Sequence, residues 1–142
     1  MVSGLDAINT EEVLTAEGQL KANFEQQFTL QTKIFIKTDY LGILVDNHSP
    51  ATSNSPLLNK KVRQAISLAI DRIKMVKYLR RNLGVAATNG FLPDGMPSVI
   101  NRSKSNSYDP EKSKSLLIEA GYNSSRPLPA ITLATSEQYL NI

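Results

Sequence analysis

The chain has 142 residues, 41% of them apolar and 20% charged, with a formal net charge of +3 and no cysteine. That length fits one domain with a core of its own, and the composition fits a folded globular chain rather than a disordered one. The lack of cysteine excludes disulfides, thiolate metal sites and thiol nucleophiles, and the single histidine, His48, excludes a multi-histidine metal centre.

Asn9-Thr10-Glu11-Glu12-Val13-Leu14 has the composition of a helix start, with Asn9 or Thr10 as N-cap, acids in the first turn and Gly18 as the stop. Lys33-Ile34-Phe35-Ile36-Lys37 and Asp39-Tyr40-Leu41-Gly42-Ile43-Leu44-Val45 are rich in β-branched and aromatic residues and read as two strands. The second is nearly all apolar, as expected of a strand covered on both faces. Residues 48–56 are a polar loop.

Helical periodicity then sets in. Val62, Ala65, Ile66, Ala69 and Ile70 share one face. Asp71 breaks the pattern and can N-cap a second helix over residues 72–81, whose apolar face holds Ile73, Val76 and Leu79, with Asn82 and Gly84 as end signals. Residues 85–107 carry proline, glycine and small polar residues and read as irregular surface. A third helix starts at Asp109, a good N-cap, with Pro110 at the first helical position. Leu116, Leu117 and Ala120 face inward, and Gly121 with Tyr122 fits a Schellman cap. Ala130-Ile131-Thr132-Leu133-Ala134-Thr135 reads as a last strand. The order predicts a mixed α/β (α+β) layer protein, a sheet with packed helices.

No apolar run approaches bilayer-spanning length; the longest, residues 40–45, has strand length. Met1-Val2-Ser3-Gly4 lacks the basic start and apolar run of a signal peptide, which in a full-length secreted protein would lie upstream. After the last strand, Ser136-Glu137-Gln138-Tyr139-Leu140-Asn141-Ile142 starts like a helix too short to be stable alone. The expectation is a single partial domain over residues 1–142, cut from a longer protein. The sheet edge and apolar surface so uncovered would favour a homodimer of the chain.

Residue chemistry alone points to no reaction. Ser, Asp and Glu are present, but no Gly-x-Ser-x-Gly motif and no metal cluster, so the chain is expected not to be an enzyme and to need no cofactor and no metal. Lys60, Lys61, Arg63, Arg72, Lys74, Lys77, Arg80 and Arg81 form a basic set without interleaved aromatics or a reading motif. A solvated helix face is the better reading than a nucleic-acid interface. Helix geometry assigns Arg63 to a polar flank and Asp71 to a cap rather than to a ligand. His48 beside Asp46 reads as an exposed loop residue.

Five blocks in order carry a family resemblance: Gly4-Leu5-Asp6; Tyr40-Leu41-Gly42-Ile43-Leu44-Val45-Asp46-Asn47; Val62-Arg63-Gln64-Ala65-Ile66 with Ala69-Ile70-Asp71-Arg72; Phe91-Leu92-Pro93 through Pro97; and Tyr108-Asp109-Pro110-Glu111-Lys112 leading to Glu119-Ala120-Gly121-Tyr122. Together they resemble the extracytoplasmic solute-binding proteins of peptide and nickel ABC transporters, the oligopeptide-binding type. The resemblance implies part of one lobe of a two-lobed periplasmic-binding-protein fold, with an extended peptide or a nickel chelate enclosed between hinged lobes. This chain would match the first part of the carboxy-terminal lobe.

The resemblance also implies a function and a site. The function would be to bind oligopeptides, or a related solute, for uptake through an ABC transporter permease. The location would be periplasmic or extracytoplasmic, compatible with a lipoprotein anchor. Ligand contacts would come from Tyr40, Asn47, Phe91, Thr135 and Ser136. For Tyr40 the competing reading is a core aromatic in an apolar strand. For Thr135 and Ser136, the end of a strand is where α/β sheets place ligands. The alternative function is the solute-sensing lobe of a cytoplasmic transcriptional regulator, in which another domain, not this segment, would contact nucleic acid.

Overall fold

The structure, a computed structural model, describes residues 10–33, 36–46, 48–87, 90–93, 96 and 107–135. The chain divides into two compact units: Met1–Tyr40 with Ile70–Tyr108, and Leu41–Ala69 with Asp109–Ile142.

The second unit is organised by two helices, and its first segment leads into them. In the loop around Thr52 its buried hydroxyl donates to the carbonyls of Asp46 and Ser49, and Ser55 N–H donates to the Thr52 carbonyl. Ser55 then caps a short 3-10 helix, Pro56–Leu58, its hydroxyl accepting from Leu57 N–H. Helix α3, Lys60–Ala69, comes directly after it. Asn59 Oδ1 accepts from Lys61 N–H at 2.9 Å, which satisfies a donor the first turn leaves free. Arg63 Nη1 donates back to the carbonyls of Leu57 and Leu58 at 2.8 and 2.9 Å, so this guanidinium ties the 3-10 turn to the helix.

Helix α5, Pro110–Glu119, packs on α3. The predicted cap is present: the Asp109 carboxylate accepts from Lys112 N–H at 2.9 Å, and Pro110 stands where no hydrogen is needed. At the other end, Gly121 has φ +89°, its N–H donates to the Ile118 carbonyl, and Tyr122 N–H donates to the Leu117 carbonyl. These are the two bonds of a Schellman motif. The contact between α3 and α5 is close because small residues lie in it. Val62 and Ala65 are fully buried, and the buried Ser113 hydroxyl donates to the Ala65 carbonyl at 2.8 Å. Asp109 N–H donates to the Leu68 carbonyl at 2.9 Å, and Lys61 pairs with Glu119 at 2.9 Å on the surface. Ile66, Leu116, Leu117 and Ala120 are half-buried as their spacing predicts, whereas Ala69 is exposed.

The first unit contains α1, Thr10–Val13, α2, Ala22–Glu25, and α4, Arg72–Leu79. Here α1 is a single turn, shorter than its sequence suggests. Leu14 leaves the helix and pairs with Leu20 as an isolated antiparallel bridge around a turn. Gly18 ends that turn rather than the helix, at φ +81°, with its N–H donating to the Thr15 carbonyl. Asn9 lies outside the described residues. Leu14 is fully buried, and Arg81 reaches it: Nη1 donates to the Leu14 carbonyl at 3.5 Å and Nη2 pairs with Glu11 at 3.5 Å. Helix α4 has its predicted cap, Asp71 accepting from Lys74 N–H at 3.0 Å. It ends in two left-handed residues, Arg81 at φ +46° and Asn82 at φ +59°. Its predicted inward face is not buried. Ile73 and Leu79 are each 67% exposed, and only Val76 is half-buried. Spacing tells which residues share a face, not whether that face has a partner.

The expected sheet is absent among the described residues. Residues 39–45 and 130–135 are irregular, and the predicted strand at 33–37 is described only in part. A strand exists through its ladder, and these apolar segments find no neighbouring strand among the described residues to pair with. Leu41, Leu44 and Val45 are exposed rather than covered on both faces.

The helix ends and the Gly18 turn can each be probed by substitution. Asp109→Ala should cost about 1 kcal/mol through the lost cap, and Gly121→Val at least as much, because a β-branched residue is strained at positive φ; denaturant melts measure both, and unchanged midpoints would contradict the helix ends. Gly18→Ala should cost roughly 1–3 kcal/mol, since φ is positive and an added Cβ would collide with the Arg81 carbonyl oxygen. Loss of hydrogen-exchange protection at Leu14 would report that cost directly.

Candidate binding site

Of the five ligand-contact residues the resemblance implies, two come together. Tyr40 and Phe91 meet edge to ring, with centroids 5.2 Å apart and planes at 66°. Both belong to the first unit. Neither is core: Tyr40 is 72% exposed and Phe91 61%, which overturns the reading of Tyr40 as a buried strand aromatic. Edge-to-ring pairs contribute about 0.5–1.5 kcal/mol beyond the area they bury. An exposed pair leaves a ring face free for something else.

The pair is held by its neighbours. The Thr38 hydroxyl donates to the Phe91 carbonyl at 2.9 Å, fixing the segment at residue 91 against the one at residue 38. Asp39, next to Tyr40, pairs with two cations, Lys37 Nζ at 3.2 Å on one carboxylate oxygen and Arg80 Nη2 at 3.1 Å on the other. All three charged side chains are about half exposed, so these pairs add little stability.

Thr135 is exposed and belongs to the second unit. Asn47 and Ser136 lie outside the described residues. Sequence reasoning missed Thr38, Asp39 and Lys37, and it assigned Arg80 to a solvated helix face. The contacts that make these residues a group span 41 and 53 positions, and no local pattern encodes them. Several other basic residues have acidic partners, Lys61 with Glu119, Lys74 with Asp71 and Arg81 with Glu11, as a solvated face requires. Arg63 and Asp71 are occupied in the structural roles expected of them. His48 is exposed, and its backbone N–H donates to Asp46 Oδ1.

The cluster offers stacking surface and ionic contacts, not a nucleophile with a base. Among the described residues no group of three or more His, Cys, Asp or Glu could hold a metal ion, and no helix is long and apolar enough to cross a membrane.

Parts of the chain are similar to known proteins. The chain is 39% identical over 71 residues to a heme-binding protein A of Haemophilus influenzae, an overlap of 50% of this chain and 13% of that protein. It is 36% identical over 80 residues to a dipeptide-binding protein of Escherichia coli, an overlap of 56% of this chain and 15% of that protein. The matched stretch is thus a small part of either relative. The profile of "Bacterial extracellular solute-binding proteins, family 5 Middle" matches residues 5–140, nearly the whole sequence. The chain belongs to the family 5 bacterial extracellular solute-binding proteins.

Proposed function

We propose that this chain is part of the solute-binding component of an ABC importer, and that its solute is a small peptide or a related molecule. Membership of family 5 across residues 5–140 carries this reading. Similarity to a dipeptide-binding protein supports a peptide as solute. In this reading the chain is the first part of the carboxy-terminal lobe of a two-lobed protein, the permease is its partner, and it works outside the cytoplasmic membrane. It binds solute and releases it unchanged, without catalysis.

Binding by these residues alone is weak. A ligand enclosed between two lobes takes its affinity from both, while the cost of association is met in full by whichever part is present. Tyr40 and Phe91, both exposed, are the ligand contacts this reading draws from the first unit; Thr135, Asn47 and Ser136 are contacts that the family resemblance implies. Exposed apolar side chains such as Ile73, Leu79 and Leu133 give a second copy a surface to cover.

Nuclear magnetic resonance titration with a mixed dipeptide pool tests the reading. Signals of Tyr40 and Phe91 should shift with a dissociation constant of about 1 mM or weaker. No response anywhere in the chain would sink the peptide assignment, and a submicromolar constant would sink the partial-site assignment. Light scattering at high concentration should give a dimer, which a monomer would contradict.

A further inference from the structure

Resting on that reading, we propose that Tyr40 and Phe91 make the site selective for solutes that carry an aromatic ring, and that the preference is for the π system rather than for apolar bulk. The two rings meet with centroids 5.2 Å apart and planes at 66°. In that arrangement the positive edge of one ring faces the negative face of the other. The contact uses only part of each ring. Tyr40 remains 72% exposed and Phe91 61%, so most of both rings is open. What is open is again face and edge. A third ring finds electrostatically matched surface there, whereas a saturated side chain of the same size gains only the area it covers.

The two rings are also joined through their backbones. Thr38 and Phe91 are 53 positions apart in the chain, and the hydroxyl of the first donates to the carbonyl of the second at 2.9 Å. That bond ties the segment carrying Tyr40 to the residue carrying the other ring. A platform joined before the solute arrives loses less freedom on binding than two separate side chains would. Core packing does not account for the pair, since both residues are exposed while Leu14 of the same unit is fully buried. Exposed aromatic residues of this kind are those through which binding surfaces gain most per residue.

An aliphatic side chain and a second copy of the chain are the other groups that exposed apolar surface can take. Two rings inclined at 66° favour a planar guest, which lies against one ring and turns its edge to the other. Within the reading of a small peptide or related molecule, the solute class narrows to those bearing a phenyl, phenol or indole ring. No charge on the solute enters this preference, so it discriminates among side chains and is indifferent to the peptide termini.

Three dipeptides test this, titrated into the chain with the backbone amide signals of residues 40 and 91 as readout. Ala-Phe and Ala-cyclohexylalanine carry side chains of similar size that differ chiefly in the π system, and Ala-Ala carries neither. Ala-Phe should bind roughly two- to tenfold more tightly than Ala-cyclohexylalanine, the range that aromatic pairing commonly makes, and Ala-Ala more weakly than either. Tyr40→Leu and Phe91→Leu, which keep apolar area and remove a ring, should each bring that ratio down towards parity, and Tyr40→Phe should keep it. Both positions are exposed, so circular dichroism of the variants should match the parent; the ratio measured on the parent decides by itself should a variant fail to fold. Equal binding of the two large side chains, or tighter binding of the saturated one, would overturn the proposal and leave peptide binding intact. A ratio unchanged in both leucine variants would overturn it as well. So would signals at residues 40 and 91 that shift on dilution with no peptide present, because a second copy would then be the occupant. Binding of none of the three would overturn the peptide assignment itself and this proposal with it.

Discussion

The hydroxyl of Ser113 donating to the carbonyl of Ala65 is possible only where two helix backbones come very close, and the second unit is built on that approach. The side chains at the contact are small or compact: Ala65, Ser113 and Val62, all buried. Larger residues would hold α3 and α5 apart and leave the Ser113 hydroxyl buried without a partner, which is costly. The helix ends depend on the same geometry. Asp109 N–H reaches the Leu68 carbonyl only because α5 begins beside the last turn of α3, and the carboxylate of the same residue then caps α5. One residue thus sets both where the helix starts and where it sits.

The helix ends are legible in the sequence because caps are local. Asp71, Asp109, Pro110 and Gly121 act within a few residues of themselves, and the bonds they make depend on backbone geometry that the sequence signals directly. The α3 face is legible for a similar reason, since Val62 and Ala65 are separated by one turn. The strands are not. Residues 39–45 have the composition of a buried strand, but pairing needs a second segment, and composition does not say where that segment is. The short reach of α1 has a local signal, Thr15 through Gly18, which can turn as readily as it can extend a helix.

The candidate site is half legible. Tyr40 and Phe91 come from family resemblance, and their meeting at 5.2 Å joins segments far apart in the chain. The charged part of the site is hidden because Arg80 looks like any other cation on a basic helix. Its partner, Asp39, lies 41 residues earlier. Lys37-Thr38-Asp39-Tyr40 does put a cation, a hydroxyl, an anion and an aromatic in four consecutive positions. Such a run becomes informative only once the end of the helix at residues 72–79 supplies the second cation.

Neither compact unit is a continuous stretch of chain. The first unit takes residues 1–40 and 70–108, and the second takes 41–69 and 109–142. A ribosome therefore releases half of each unit before completing either. The contact of α3 with α5 closes a loop of about 40 residues, whose entropic cost falls before the contact repays it. A protease cutting between α3 and α4 would sever the path between the halves of both units at once. No single cut can free one unit intact, and no continuous excerpt can be transplanted into another protein carrying just one of them. Insertions or grafts in this chain must respect both units together.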